Sequence, residues 1–258
     1  MSDWNPHDYL LFMNERSQPA IDLIMRISVE NPKRILDVGC GTGNITSILS
    51  QRWPEAEVIG IDNSPAMLKQ AINDHPDMKW VNQDASKDLS HLGKFDIIFS
   101  NAVLQWIPDS RPVLKHLFEM LNPGGALAVQ VPFTEDQPSH VSMRKLFAKP
   151  EWKKYYDVVA TKPKYRSADF FYDTLIGLSD RMSIWQTEYI HLMDSIDALL
   201  DWNKASALRQ FLDALPDEKM KEKFLSEFKA ELELHYKPGE NGTVLYPFKR
   251  LFFVMNKR

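Results

Sequence analysis

The sequence predicts an α/β fold built on a mostly parallel, doubly wound sheet. Three observations carry that reading. Short apolar runs alternate with helical patterns through the first half of the chain. The first run ends in a glycine-rich turn, Gly39-Cys40-Gly41-Thr42-Gly43. The helix pattern before the fifth run is followed by Asn122-Pro123-Gly124-Gly125, a strong stop signal. Alternation of this kind argues for parallel strands joined by helical crossovers.

The elements follow in order. Ala20, Leu23, Ile24 and Ile27 recur at spacings of three and four, as on one face of a helix. Arg34 to Val38 is the first strand, and Ile45, Ile48 and Leu49 line a helix ending before Pro54. Val58 to Ile61 is the second strand. Ser64-Pro65 opens the next helix as cap and first-turn proline. Lys79 to Asn82 is strand three, Phe95 to Ser100 strand four and Ala126 to Val131 strand five, with a helix over Leu114 to Leu121 before the last. Beyond it, His140 to Phe147 reads as a helix that puts His140 and Arg144 on one face. Pro150 to Arg166 reads as irregular. Ala168 to Leu178, Ile196 to Leu215 and Lys219 to Tyr236 read as helices. Met182 to His191 and Val244 to Met255 read as the last two strands.

The glycine turn sits where open α/β sheets bind ligands, at the carboxyl end of a parallel strand. Its spacing is not the dinucleotide G-x-G-x-x-G, and it lacks the Lys-Ser/Thr of a P-loop. Asp37 precedes the first glycine, which disfavours a pyrophosphate and suits a cation. Asp62 ends the second strand, where a carboxylate can accept both hydroxyls of a ribose through charge-assisted bonds. A ligand with a ribose, a positive group and no phosphate is S-adenosylmethionine (SAM).

Asp37-Val38-Gly39-Cys40-Gly41-Thr42-Gly43, then Gly60-Ile61-Asp62, then Asp84, then Asn101, resembles the class I SAM-dependent methyltransferases. The resemblance implies a Rossmann-like seven-stranded sheet whose last strand inserts antiparallel between strands five and six, with a helical cap. It implies one methyltransferase domain over residues 1–258. Residues 1–30 would form a lid, 31–135 the SAM-binding core, and 136–258 the substrate cap. Carried over residue by residue, it implies cofactor contacts from Asp37, Gly39, Gly41, Asn44, Asp62, Asn63, Met67, Asp84, Ala85 and Asn101. Asp84 and Ala85 would meet the adenine, which Asn63 and Met67 would flank. Asn101 would face the methionine end, with Gln105 and Trp106 positioning the methyl path.

A net charge of −4 gives no electrostatic footprint for nucleic acid. The segment Asn101-Ala102-Val103-Leu104 also lacks the tetrad of the amino-methylating DNA enzymes. No run of about 18 apolar residues predicts a membrane span. The start of the chain has no basic and apolar leader, so the expected location is cytoplasmic. Cys40, the single cysteine, excludes a disulfide within the chain and reads as a small filler. No metal cluster is expected.

Scattered bases in a slightly acidic chain point to an anionic substrate, because Arg binds carboxylates bidentately. The expected substrate residues are His7, Tyr9, Arg16, Trp106, His140, Arg144 and Arg250, with Arg166 and Arg209 as further bases. Several further segments match one branch of the family: Met1 to Pro6, Glu15-Arg16-Ser17, Gln51-Arg52-Trp53-Pro54, Leu104-Gln105-Trp106-Ile107-Pro108-Asp109, His140 to Arg144, and Glu240-Asn241-Gly242. They are similar to the branch that esterifies a carboxylate of a small tricarboxylic acid. That resemblance implies methyl transfer from SAM to one carboxylate. The alternatives are a carboxyl methyltransferase for a malonyl group on an acidic carrier protein, docked by Lys149, Lys153, Lys154, Lys162 and Lys164, and a SAM-binding regulator without chemistry.

Overall fold

A computed structural model describes residues 13–159, 165–179 and 181–258, with side chains from residue 17 onward. His7 and Tyr9 lie outside the described residues, and so does the Arg16 side chain. The described chain separates into two compact units. The larger holds the chain through Pro132, Arg166–Gln186 and Arg250–Arg258. The smaller holds Phe133–Tyr165 and Thr187–Lys249.

The larger unit carries the sheet. Its strands are β1 (Arg34–Val38), β2 (Glu57–Asp62), β3 (Lys79–Asn82), β4 (Phe95–Asn101), β5 (Leu121–Pro132), β6 (Met182–Met193) and β7 (Val244–Asn256). Their order is β3-β2-β1-β4-β5-β7-β6. The pairs among β1 to β5 are parallel, and β7 runs antiparallel to β5, with Gln130 opposite Phe252. The parallel pairing of the first five strands and the antiparallel β7 inserted between β5 and β6 agree with the expectation drawn from the sequence and its family resemblance. Ile35, Leu36, Val38, Ile97, Ile98 and Phe99 are all fully buried. Central parallel strands are covered on both faces, which is why they read as unbroken apolar runs.

The helices of this unit are α1 (Met13–Ile24), α2 (Asn44–Arg52), α3 (Pro65–Asp74), α4 (Arg111–Glu119) and, later in the chain, α7 (Ala168–Leu175). Ser64 caps α3, accepting from the Met67 N–H, with Pro65 in the first turn. Helix α4 buries Val113, Leu114, Leu117 and Phe118, a stripe at helical spacing that packs on β5 and α7. Helix α1 packs on β5 and α2.

One boundary differs from expectation. Asn122-Pro123-Gly124-Gly125 ends the helix but does not precede the strand; it lies inside β5. Leu121 pairs with Phe95, and the register then shifts before Ile97. The extra residues form an irregularity held by its own bonds. Asn122 Nδ2 donates to Asp96, and the Gly124 N–H to the Lys257 carbonyl.

The smaller unit holds α5 (Pro138–Ala148), α6 (Pro150–Asp157), α8 (Ile196–Lys204), α9 (Arg209–Asp213) and α10 (Glu218–His235), with the adjoining parts of β6 and β7. Helix α6 occupies a stretch that reads as irregular in sequence. Trp152 explains it: fully buried, the indole stands edge-on to Phe224 at 5.2 Å and donates to Glu227. Tertiary burial outweighs the weak local pattern here. Ile196 to Leu215, expected as one helix, breaks between Lys204 and Arg209, where the Leu208 N–H turns back to the Asn203 carbonyl.

Candidate functional site

The site in the larger unit begins at the end of β1. Gly39 and Cys40 both donate their N–H groups to the Ile61 carbonyl, at 2.8 and 2.9 Å. The turn is thereby pinned to β2 before it reaches α2. Gly39 has φ 75°, and a Cβ there would stand 2.1 Å from a Val103 methyl. The segment after β4 therefore packs onto the turn so closely that only glycine fits. Gly41, at φ 56°, has no atom within 4 Å of a would-be Cβ. Its backbone faces open space and is free to meet a ligand closely.

Asp62 is the hinge of this arrangement. One carboxylate oxygen accepts the Gly41 N–H at 2.9 Å, and the other accepts the Ser64 N–H at 2.8 Å. A carboxylate is a pure acceptor with about four lone-pair sites, the chemistry that a pair of hydroxyl groups requires. Asp37 is 2% exposed and accepts the Thr46 hydroxyl at 2.6 Å. Burial pushes its carboxyl up to about 7; Thr46 opposes the rise and the negative charge of Asp62 adds to it. Desolvation of the charged form outweighs the hydrogen bond. Burial likewise pushes the Cys40 thiol up, reinforced by both acids, so it stays protonated.

Asn44 opens α2 and donates from its side chain to Thr42 at 2.9 Å. Met67 is buried in the first turn of α3, while its neighbour Asn63 is exposed. Asp84 follows β3 and accepts the Ser86 N–H at 2.8 Å, which makes it a turn-forming residue as well. Ala85 is half-buried beside it.

After β4, Asn101 is followed by Ala102 at φ 59°, the one non-glycine residue at positive φ among the described residues. Gln105 Nε2 donates to the Ala102 carbonyl at 2.7 Å, and Trp106 closes the short 3-10 turn, half-buried. Arg166 holds the next stretch. It donates to the carbonyls of Ile107 and Pro108 and to the Ser110 hydroxyl, and it lies over the Phe170 ring at 4.7 Å. Read from sequence as a substrate-facing base, it is engaged as a staple for the loop behind Trp106. Arg250, in β7 beside Pro132, is 5% exposed.

In the smaller unit His140 and Arg144 share one face of α5, as their spacing predicts, and both meet Tyr165. Arg144 donates to the Tyr165 hydroxyl at 3.0 Å and to the Glu135 carbonyl. The His140 ring stands edge-on to Tyr165 at 6.4 Å. Burial, with the charge of Arg144, pushes His140 down to about 3. It is therefore neutral at pH 7 and offers a hydrogen bond rather than a charge. Of the lysines considered for a carrier protein, Lys149 pairs with Glu227 and Lys153 with Asp157, while Lys162 and Lys164 lie outside the described residues. Among the described residues no group of three or more His, Cys, Asp or Glu gathers as a metal site. No described helix is long and apolar enough to cross a membrane.

A methyltransferase domain profile matches residues 12–178. The trans-aconitate 2-methyltransferase of Escherichia coli (strain Crooks) is 40% identical over 257 residues, covering 100% of this chain and 99% of its own. The chain belongs to the trans-aconitate 2-methyltransferase family. The architecture of this methyltransferase recurs in solved structures. Haemonchus contortus phosphoethanolamine N-methyltransferase 2, in complex with SAM, superposes with a TM-score of 0.58 at 14% identity, covering 98% of this chain and 57% of that one. Coclaurine N-methyltransferase, bound to N-methylheliamine and S-adenosylhomocysteine, gives 0.54 at 14%, covering 92% and 71%. At those identities the likeness shows the fold alone.

Two features of the methyltransferase site were not visible as motifs. One is Val103, which clamps Gly39. The other is Trp80, whose ring would meet a Cβ at Gly43 or Gly60 at 2.5 Å. Each is a contact between segments distant in sequence.

Proposed function

We propose that this methyltransferase transfers the methyl group of SAM to one carboxylate of trans-aconitate, giving the monomethyl ester and S-adenosylhomocysteine. The observation that carries the reading is the 40% identity to trans-aconitate 2-methyltransferases along the whole chain. The local geometry supports the cofactor: an open glycine backbone at Gly41 and an Asp62 carboxylate tied to it through the Gly41 N–H. SAM supplies a methyl group on a good sulfonium leaving group. The chain's task is to bind, align and exclude water. We assign Asp62 to the ribose hydroxyls, Asp84 and Ala85 to the adenine edge, Asn63 and Met67 to its faces, and Asn101 to the methionine end. Gln105 and Trp106 are assigned to positioning. No general base is needed, because a carboxylate with pKa near 4 is already ionised at pH 7. Rate then comes mainly from holding the reacting atoms about 3–3.5 Å apart.

The deciding experiment uses SAM labelled in its methyl group, with and without trans-aconitate, followed by mass spectrometry. Label in a methyl ester supports cofactor, reaction and substrate together. SAM binding without ester reopens the substrate to other acids, and no SAM binding overturns the whole reading.

Two expectations test named residues. Arg144 spends two of its five donors on Tyr165 and Glu135, and we assign the rest to a substrate carboxylate. Arg144→Ala should raise KM for trans-aconitate at least about tenfold, the worth of one charge-assisted contact, and leave KM for SAM nearly unchanged. Equal effects on both would remove that role. Asp37 gives a pH signature. Its raised pKa means that the free protein binds a proton near pH 7. A positive ligand favours the ionised carboxylate, lowers that pKa and releases the proton. SAM affinity should therefore rise as pH climbs through about 7, and uncharged 5′-methylthioadenosine should show no such rise. Calorimetry in buffers of different ionisation enthalpy reads the released proton, and Asp37→Asn should abolish it.

A further inference from the structure

Strand β5 runs Ala126-Leu127-Ala128-Val129-Gln130-Val131, and Gln130 alone breaks its apolar run. Gln130 is fully buried, yet neither the oxygen nor the nitrogen of its carboxamide has a hydrogen-bond partner. Buried polar groups in folded proteins are nearly always paired, because desolvation without a partner is costly. An apolar residue would suit the strand better unless the amide serves a ligand.

Its neighbours are in the same condition. Gln130 lies opposite Asn101 across the parallel β4–β5 pair, so the two side chains stand on one face of the sheet. Asn101 Oδ1 is also buried and unpartnered. Ala102 ties the group together. Its N–H donates to the Gln130 carbonyl at 2.9 Å, and its own carbonyl accepts Gln105 Nε2 at 2.7 Å. That bond fixes the Gln105 amide and leaves its Oε1 buried and unpartnered as well. Three buried amide oxygens without a donor and one buried amide nitrogen without an acceptor thus belong to residues beside, or bonded to, a backbone position held at positive φ.

That inventory selects a ligand chemistry. An ammonium offers three N–H donors, and a carboxylate beside it accepts one. A tricarboxylate has acceptors only: it could take the one nitrogen but would set its lone pairs against the three oxygens. We propose that Gln130, together with Asn101 and Gln105, binds the amino-acid end of SAM, the oxygens accepting from its ammonium and Gln130 Nε2 donating to its carboxylate. This rests on the SAM reading above and adds Gln130, a residue that no sequence motif marks.

The test compares two ligands by calorimetry on the full chain. S-adenosylhomocysteine carries the amino-acid end, and 5′-methylthioadenosine shares the nucleoside and thioether without it. Gln130→Leu should weaken S-adenosylhomocysteine about 10- to 100-fold, as expected for losing hydrogen bonds to charged groups. It should leave 5′-methylthioadenosine binding unchanged and should not lower the thermal midpoint. Gln105→Met, in the turn outside the sheet, should show the same selective loss and serves if the strand variant does not fold. Equal losses for both ligands, or none for either, overturn the proposal and leave the amide a structural group. Unchanged S-adenosylhomocysteine binding with a raised KM for trans-aconitate also overturns it. A wild-type chain that binds neither ligand overturns the SAM reading itself, and this proposal with it.

Discussion

Replacing Asp62 with alanine is expected to weaken S-adenosylhomocysteine binding by about a hundredfold or more. Two hydroxyl-to-carboxylate bonds, each worth about 1.5–3 kcal/mol, sum to at least about 3 kcal/mol. The substitution also strips the acceptors from the Gly41 and Ser64 N–H groups, so the fold itself should lose about 1–3 kcal/mol. Those two effects are separable. Asp62→Asn keeps an acceptor oxygen for one of the two N–H groups and sets its Nδ2 donor against the other, so it should recover at most part of the fold stability while ligand affinity stays low. Denaturant titration reads the first quantity and calorimetry the second. Unchanged affinity in Asp62→Ala, with the fold intact, would refute the ribose assignment.

Asp62 also shows which part of the candidate site a sequence can suggest. A strand ending in an acid, after a glycine turn that ends another strand, is a local pattern, and the structure joins its two parts through the Gly41 N–H. The register that brings Asp37 beside Gly60 follows from parallel pairing alone. The strands and their parallel pairing, too, were legible, because each apolar run and each crossover helix is a local signal; the place of the last strand came from the family resemblance. The rest depended on contacts that no local signal encodes. Helix α6 forms because Trp152 finds Phe224 and Glu227, both more than 70 residues away. Arg166 reads as an anion ligand by residue type, but three acceptors of the loop after Trp106 claim it. His140 reads as a base, and burial makes it neutral. Gln130 stood in view as one amide in an apolar strand. The role proposed for it rests on hydrogen-bond accounting across β4 and β5, not on periodicity.

The second large effect is expected at Gly39. Gly39→Ala places an L-residue at φ 75°, which costs about 1–2 kcal/mol on backbone grounds. The new methyl would also stand 2.1 Å from Val103 Cγ2, a clash relieved only by moving the segment after β4; overpacking of this kind costs about 1–3 kcal/mol. The sum, about 2–5 kcal/mol, is a large share of the 5–15 kcal/mol that typically separates folded from unfolded chains. The two parts come from different causes, and a double-mutant cycle separates them. Val103→Ala removes the methyls that collide, so in its background Gly39→Ala should cost only the backbone part. The coupling should fall between about 1 and 3 kcal/mol, in the range seen for residues in direct contact. A strictly additive cycle would show that Val103 yields freely, leaving the backbone conformation as the sole reason for glycine. A strong coupling would mean that the glycine turn and the segment carrying Asn101, Ala102 and Gln105 move as one piece. In that case Gly39→Ala should weaken S-adenosylhomocysteine through both of its ends, while Val103→Ala restores part of the loss.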